Sequence, residues 1–423
     1  MQQIKPLTLR RNFSWTFIGN IVYAACQWGM LVVLAKLGSP EIVGQFTLGL
    51  AVTAPVVMLT NLQLRAIQAT DAKHQYQFND YLALRLLGTG LALAVIVGIT
   101  FTAGYRPSTS LVILTIALSK AIESISDVFH GLLQQQERMD RIAISLMLRG
   151  PLSLLLLVIG FYLVGSVVGA AVGLTVAFAL VLLGYDIRNG ASMLKAAGEK
   201  LQPRWHLRTL AKLVWLALPM GFVMMLLSLN TNIPRYFIEQ YLGERYLGVY
   251  AAISYLMVAG SLVVNALGQS ASPRLAKYYA AGDRIAFQTL LLKLVGIAAL
   301  LGMAGILVAV VAGRQILTLL YRPEYAQYTE LFVWLMVAAG IGYISSFLGY
   351  GMTAARYFRI QMPLYALVTT TSAIACLWLI PTLGLAGAAV AAIAAEIVHA
   401  SISLGVNIYA LHRASTQKGT LDS

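Results

Sequence analysis

The chain has 423 residues, 59% of them hydrophobic and only 11% charged, with a mean hydropathy of +0.76. Soluble domains carry about 25% charged residues, so this composition excludes a soluble globular protein. The net charge of +14 raises nucleic-acid binding as one reading, but the charge is spread over many short connections, which is the pattern left by the bias of Lys and Arg toward cytoplasmic loops.

In chain order, apolar stretches of the length that crosses a bilayer as a helix, roughly 20 residues, predict twelve spans: 13–36, 42–61, 81–104, 109–132, 142–163, 165–187, 211–234, 246–268, 288–312, 329–352, 360–380 and 384–409. The first is too long for a signal-peptide core and lacks an A-x-A-type cleavage site, so it is expected to be retained. The connections are too short to hold a soluble domain. With the N-terminus in the cytoplasm, 23 of the 30 Lys and Arg residues fall on the cytoplasmic side and six on the other, with Lys120 alone in mid-span. Both termini are therefore expected to be cytoplasmic. The cysteines, Cys26 and Cys376, lie inside apolar spans and imply neither a disulfide framework nor a metal site.

The halves of the chain repeat. "LGSPEIVGQF" (37–46) after the first span is echoed by "LGERYLGVY" (242–250) after the seventh. Arg85-Leu-Leu-Gly88 is echoed by Lys293-Leu-Val-Gly296, and "VGAAVG" (168–173) by "AGAAVA" (386–391), at offsets of 205, 208 and 218 residues. Six spans per half preserve orientation, which predicts parallel repeats about an axis along the membrane normal, with substrate at their interface. The expected organisation is an N-terminal six-helix lobe (1–190), a cytoplasmic linker (191–210) and a C-terminal six-helix lobe (211–423). Small residues four apart, Gly165, Gly169 and Gly173, then Gly387, Ala391 and Ala395, suit close helix packing.

There is no P-loop, no H-E-x-x-H and no Cys-x-x-Cys, and "GTG" (88–90) lacks the context of a dinucleotide site. An enzyme is not expected, nor a cofactor or metal. The polar residues inside the spans are the candidates for chemistry. "SKAIESISDVFHG" (119–131) carries Lys120, Glu123, Asp127 and His130, which at about 100° per residue share one face within roughly 80°. An isolated charge at the bilayer centre costs at least about 2.5–3.5 kcal/mol, so the stripe is expected to face protein or water. It either fixes the helix through an internal ion-pair network or lines a hydrophilic cavity. Glu396 and His399, three apart in the twelfth span, form either a proton relay or a structural hydrogen bond. Asn230, Asn232 and Arg235 lie in the outer third of the seventh span, Arg149 in the cytoplasmic third of the fifth, and Asn20 and Gln27 on one face of the first. Lys120, Arg149 and Arg235 make the predicted interior cationic, and guanidinium groups bind phosphate bidentately. Such an interior suits a bulky anionic or sugar-rich substrate.

"NFSWTFIGNIVYAACQWGMLVVLAKLGSPEIVGQF" (12–46) resembles the opening of the polysaccharide-transport flippases of the multidrug/oligosaccharidyl-lipid/polysaccharide exporter superfamily. The likeness continues through "ALPMGF" (217–222), "YLGERYLGVYAAI" (241–253) and "LFVWLMVAAGIGYISSFLGYGMTAARYFR" (331–359), and so covers essentially the whole chain. It implies an all-α polytopic membrane protein: twelve transmembrane helices in two six-helix lobes that form a V with a central cavity, working by alternating access. The implied substrate is an undecaprenyl-pyrophosphate-linked oligosaccharide, flipped across the bacterial plasma membrane for O-antigen, capsule or exopolysaccharide assembly. Membrane lipids, a polysaccharide polymerase and assembly proteins are the implied partners. Substrate contact would fall to Arg235, Arg149, Lys120, Asn20, Gln27 and Asn230, and ion coupling to Glu123, Asp127, His130, Glu396 and His399. No family motif fixes those positions. A cation-coupled drug exporter of the same superfamily remains open, because Glu123 and Asp127 are acidic residues in the N-terminal half. A membrane glycosyltransferase or polymerase would need a large outer loop with catalytic residues, which is not seen.

Overall fold

In the computed structural model, residues 9–71, 75–357 and 360–419 are described, with side chains from 10 to 411. Lys5, Lys73 and Arg359 lie outside the described residues, as do the side chains of Arg413 and Lys418. Among the described residues the chain is helical, with no strand. In the first half, α1 (Leu9–Leu37), α2 (Pro40–Asn61), α4 (Phe78–Thr102), α5 (Pro107–Gln135), α6 (Met139–Val164) and α7 (Val167–Val181) are the long or hairpin helices. Two short ones join them, α3 (Leu64–Thr70) and α8 (Ile187–Ala196). In the second half, α9 (Leu207–Leu242) leads to α10 (Glu244–Ser254), which a single 3₁₀ turn joins to α11 (Val258–Ala280). Then follow α12 (Arg284–Leu320), α13 (Thr329–Ala354), α14 (Gln361–Leu383) and α15 (Leu385–Gly419). Each of the twelve predicted spans falls on one of these helices or helix pairs. The helices run longer than the apolar stretches because their polar ends continue past them.

Local chemistry sets the helix ends. Proline opens α2 at Pro40 and α5 at Pro107, where its missing N–H costs nothing. Gln77 and Asp80 close a reciprocal capping box on α4. The Asp283 carboxylate accepts from the Ala286 N–H to cap α12. Gly165 (φ +67°) ends α6 and Gly384 (φ +61°) follows α14, both in backbone conformations that glycine tolerates.

Among the described residues, eleven helices, counted with their continuations, are long and apolar enough to cross a membrane. The remaining long helix is α5, 29 residues, which the Lys120–His130 stripe makes less apolar than the rest. The protein is a multi-pass membrane protein.

The chain divides into two compact units, Met1–Ser228 and Leu229–Ser423. The division falls inside α9. The first part of that helix belongs to the N-terminal unit, because Leu210, Leu213 and Ala217 are buried in a core with Phe129, Leu133 and Leu194. The connection before α9 is fastened to the same unit. Asn79 on α4 donates from its side chain to the Lys200 carbonyl (2.9 Å) and accepts from the Gln202 N–H (3.2 Å), and its own carbonyl accepts from the Arg204 N–H (3.0 Å). In the C-terminal unit, α11, α12 and α13 bury Leu275, Phe287, Leu294 and Phe347, while α14 and α15 bury Val368 and Ala395.

The repeat is visible inside each unit. A Cβ on Gly169, at the start of α7, would lie 2.2 Å from the Gly160 carbonyl oxygen on α6. One on Gly387, at the start of α15, would lie 2.1 Å from the Leu379 carbonyl oxygen on α14. Both helical hairpins thus close by backbone contact at matching positions.

Candidate functional site

The N-terminal unit holds a cavity of about 240 Å³ among α1, α3, α5 and α6. It lies where α1 and α6 begin and α5 ends, the end of the unit that charge sorting assigns to the cytoplasm. Helix α1 contributes Thr16, Asn20 and Tyr23, α3 contributes Arg65, α5 contributes Glu123, Asp127 and His130, and Arg149 projects from α6.

Glycine sets the fit of α1 on α6. A Cβ on Gly19 would lie 2.8 Å from the Ala143 Cα, and one on Gly150 would be 3.2 Å from Cys26. At that separation the Tyr23 hydroxyl on α1 donates to Glu123 Oε1 on α5 at 2.8 Å. Glu123 also accepts from Lys120 Nζ (2.8 Å), one turn back on its own helix, and lies 3.8 Å from Arg149 NH1. A second group forms behind it. Arg149 NH2 pairs with Asp186 Oδ2 at 3.0 Å, and the guanidinium stands 5.3 Å from the Phe178 ring centroid. Asp186 Oδ1 lies 3.4 Å from His130 Nε2, which also meets Ser145 Oγ at 3.1 Å. Arg149, His130 and Asp186 are all buried.

The third group centres on Asp127. Its two oxygens pair with Arg65 NH1 (3.4 Å) and Arg85 NH2 (3.1 Å). Arg65 is further held by Gln134 (2.9 Å). Arg85 is wholly buried on α4, and its Nε and NH1 have no hydrogen-bond partner among the described residues. Beside this group the buried Gln68 amide, oriented to satisfy both its ends, donates to the Val128 carbonyl (3.2 Å) and accepts from the Leu132 N–H (3.1 Å). A regular α-helix pairs those two groups with each other, so the Gln68 amide enters the hydrogen-bond ladder of α5 midway between Asp127 and Gln134. The absence of a side chain at Gly131 admits it.

These groups together set four cations, Arg65, Arg85, Lys120 and Arg149, against three carboxylates, Glu123, Asp127 and Asp186. The balance is positive with His130 neutral. Low dielectric strengthens every pair here and makes an unpaired member costly.

Of the residues singled out from the sequence, Lys120, Glu123, Asp127, His130, Arg149 and Asn20 come together in this unit. Gln27 is half-buried one turn beyond Tyr23 and does not line the cavity. Arg235, Asn230, Glu396 and His399 belong to the C-terminal unit. There Arg235 NH1 donates to Asn232 Oδ1 (2.9 Å), while Arg235 Nε and the buried Asn230 Oδ1 have no partner among the described residues. Glu396 meets His399 Nδ1 at 3.3 Å, and the His399 ring lies 5.4 Å from Tyr365. A Cβ on Gly342 would lie 3.4 Å from the Glu396 carboxylate.

Sequence reasoning missed Tyr23, Asp186, Arg65 and Arg85 as site residues. Charge sorting counts Arg65 and Arg85 among the 23 cytoplasmic cations, but Arg85 lies two turns inside α4, which begins at Phe78. Tyr23 does carry a signal, since it shares the face of Asn20 and Gln27. Asp186 is placed by a π-helical turn, Leu182–Asp186, a feature often found at functional sites.

Among the described residues the chain is an all-helical, multi-pass membrane protein of two units with buried charged clusters in the first. The chain is similar to a multidrug resistance MATE family transporter of the MOP superfamily in its inward-facing conformation, with TM-score 0.71 and 14% identity, covering 96% of this chain and 99% of that one. It is also similar to a MOP superfamily transporter from Pyrococcus furiosus whose binding pocket is described as reversed in polarity (TM-score 0.60, 18% identity, 96% and 94% covered). At these identities the likeness is one of fold. Residues 9–279 match the family described as "Polysaccharide biosynthesis protein", and the chain belongs to that family. Among curated relatives, the capsular polysaccharide biosynthesis protein CapF of Staphylococcus aureus is 28% identical over 383 residues, 90% of this chain and 94% of its own length.

Proposed function

We propose that this protein is a flippase that moves undecaprenyl-pyrophosphate-linked oligosaccharide units across the bacterial plasma membrane by alternating access, for assembly of a surface polysaccharide such as capsule. The observation that carries the reading is the cavity of the N-terminal unit, lined by Arg65, Arg149, Glu123 and Asp127, with Lys120 and Arg85 paired to those two carboxylates from outside the lining. A pyrophosphate needs a cationic site that is shielded from lipid, and Arg and Lys supply one. The cavity stands at the end where a substrate made in the cytoplasm would enter. The sugars would extend past Asn20 and Tyr23, whose polar groups suit hydroxyls. Arg235 and Asn230 in the other unit, each with a polar atom that has no partner among the described residues, are proposed as further substrate contacts, and Glu396–His399 as a proton-handling pair.

The exporter reading for a lipophilic cation loses support from the same geometry. Glu123 lies within 4 Å of Lys120 and Arg149, and Asp127 of Arg65 and Arg85, so neither carboxylate offers a net negative field.

The test is complementation of a strain deleted for its own transporter. Arg235 pairs with an amide rather than a carboxylate, so Arg235→Ala should leave protein level unchanged and remove surface polysaccharide. Arg149→Lys keeps a charge beside Asp186 and should restore it only in part, because one ammonium cannot both hold Asp186 and reach a phosphate as the two arms of the guanidinium do. Full surface polysaccharide from both variants would overturn the reading.

A further inference from the structure

We infer that Glu123 is the resident anion of a phosphate site built from Lys120 and Arg149, and that an incoming pyrophosphate binds by displacing it. The inference rests on the flippase reading above and names the atoms at which the anion is received. Three observations carry it.

Glu123 is shared. One carboxylate oxygen takes Lys120 Nζ at 2.8 Å, and the other takes the Tyr23 hydroxyl at 2.8 Å with Arg149 NH1 at 3.8 Å. A carboxylate between an ammonium, a guanidinium and a phenol occupies the place a phosphate oxygen pair would take. Glu123 is also reachable: it and Lys120 are each about a quarter exposed and Glu123 lines the cavity, whereas Asp186, the other anion on Arg149, is fully buried and further held by His130. An entering anion can therefore replace Glu123 but not Asp186. Finally, the Arg149–Glu123 distance of 3.8 Å is longer than a charge-assisted hydrogen bond, while the same guanidinium reaches Asp186 at 3.0 Å. The NH1 group facing the cavity is thus the loosely held one.

Displacement has a consequence for protons. Once its cations turn to phosphate, the Glu123 carboxylate stands beside the new anion, with Asp127 one turn away and Asp186 beyond Arg149. The cations on that side, Arg65 and Arg85, are already engaged by Asp127, and His130 faces Asp186. A proton taken from solvent onto the Glu123 carboxylate removes the repulsion, so anion binding and proton uptake are linked. When the anion leaves, Glu123 loses that proton and pairs again with Lys120 and Arg149. The empty site is then neutralised, which avoids the cost of bare cations inside the membrane.

The experiment is titration of the purified full-length protein with inorganic pyrophosphate, by calorimetry at pH 8 in two buffers of different ionisation enthalpy. Wild type and Glu123→Gln are compared, so that the ionisation of pyrophosphate itself, common to both, cancels. The expected result is that Glu123→Gln binds about tenfold more tightly, the scale of one hydrogen bond to a charged group, and takes up about one proton fewer per pyrophosphate than wild type. Equal affinity with equal proton uptake would overturn the inference. If Glu123→Gln does not fold, Glu123→Asp shortens the carboxylate's reach to Lys120 and Arg149 and should tighten binding about twofold to fivefold; no change there would overturn it as well. The underlying reading fails separately: pyrophosphate that binds neither wild type nor Glu123→Gln, or that binds Lys120→Ala and Arg149→Lys as tightly as wild type, removes the phosphate site itself. Loss of binding in those two cation variants with no gain in Glu123→Gln would leave the site standing and sink only the displacement.

Discussion

Arg85 and Asp127 meet at 3.1 Å between α4 and α5, and the two partners are unequally placed: the Arg85 side chain is wholly buried, while Asp127 is about a third open and has a second cation in Arg65. The pair should therefore respond asymmetrically. Asp127→Asn leaves a buried guanidinium without its anion, a change that costs about 3–5 kcal/mol. Arg85→Met leaves Asp127 with Arg65 and water, and should cost about 1–2 kcal/mol. Thermal melts in detergent check this; equal losses would mean that Arg85 has a second anion or direct access to water.

The paired hairpins give a second test. Gly169 and Gly387 each face a carbonyl oxygen of the preceding helix at a distance no Cβ tolerates. Gly169→Ala and Gly387→Ala should each destabilise by about 1–3 kcal/mol, the usual scale of overpacking. Gly90 and Gly98 in α4 have open space where a Cβ would go. Alanine there should be neutral or should stabilise by up to about 1 kcal/mol through helix propensity. The contrast in sign separates close packing from a general intolerance of substitution, and a neutral result at both Gly169 and Gly387 would contradict the hairpin contact.

Orientation is tested between the units. The 23-to-6 sorting of Lys and Arg predicts that the 188–210 segment is cytoplasmic. Gly198 has φ +80° and open space around it, so a reporter inserted there should leave the Asn79 fastening intact. It should be active as a cytoplasmic fusion, and a periplasmic signal at that position would reverse the topology.

Much of this architecture was legible because the bilayer imposes long apolar runs. The twelve stretches were distinct in composition, and the hairpin glycines stood at matching offsets. The shared face of Lys120, Glu123, Asp127 and His130 followed from helical periodicity alone. The partners of that face were harder to see. Arg85 stands near the edge of an apolar run, where a cation usually reaches for the interface, and only the earlier start of α4 at Phe78 buries it. Asp186 lies at the very end of the predicted span 165–187, two residues before Arg188, where nothing sets it apart. The π-turn that turns it toward Arg149 and His130 leaves no pattern in the residues. Gln68 enters the α5 ladder from a helix of seven residues that hydropathy does not detect. The division of the units inside α9, rather than in the charged connection before it, depends on the burial of Leu210, Leu213 and Ala217 against the N-terminal core.

Lys120 separates a structural network from a transport site. Its one described partner is Glu123, and Glu123 keeps Tyr23 and Arg149 when Lys120 is removed. The lysine is also about a quarter exposed. Lys120→Ala therefore strands no buried charge, and its cost should be about 1 kcal/mol, small beside that of Asp127→Asn. A variant that stays folded in membranes at wild-type level is expected, and its surface polysaccharide should fall at least about tenfold, the equivalent of 1.4 kcal/mol of lost anion binding. Lys120→Arg should recover most of that loss, since charge and donors are kept at the same place on α5. Immunoblots of membranes and of surface polysaccharide, read together, decide the matter: a Lys120→Ala protein that vanishes from the membrane would make the network a structural clamp, and one that is present and fully active would remove Lys120 from the anion site.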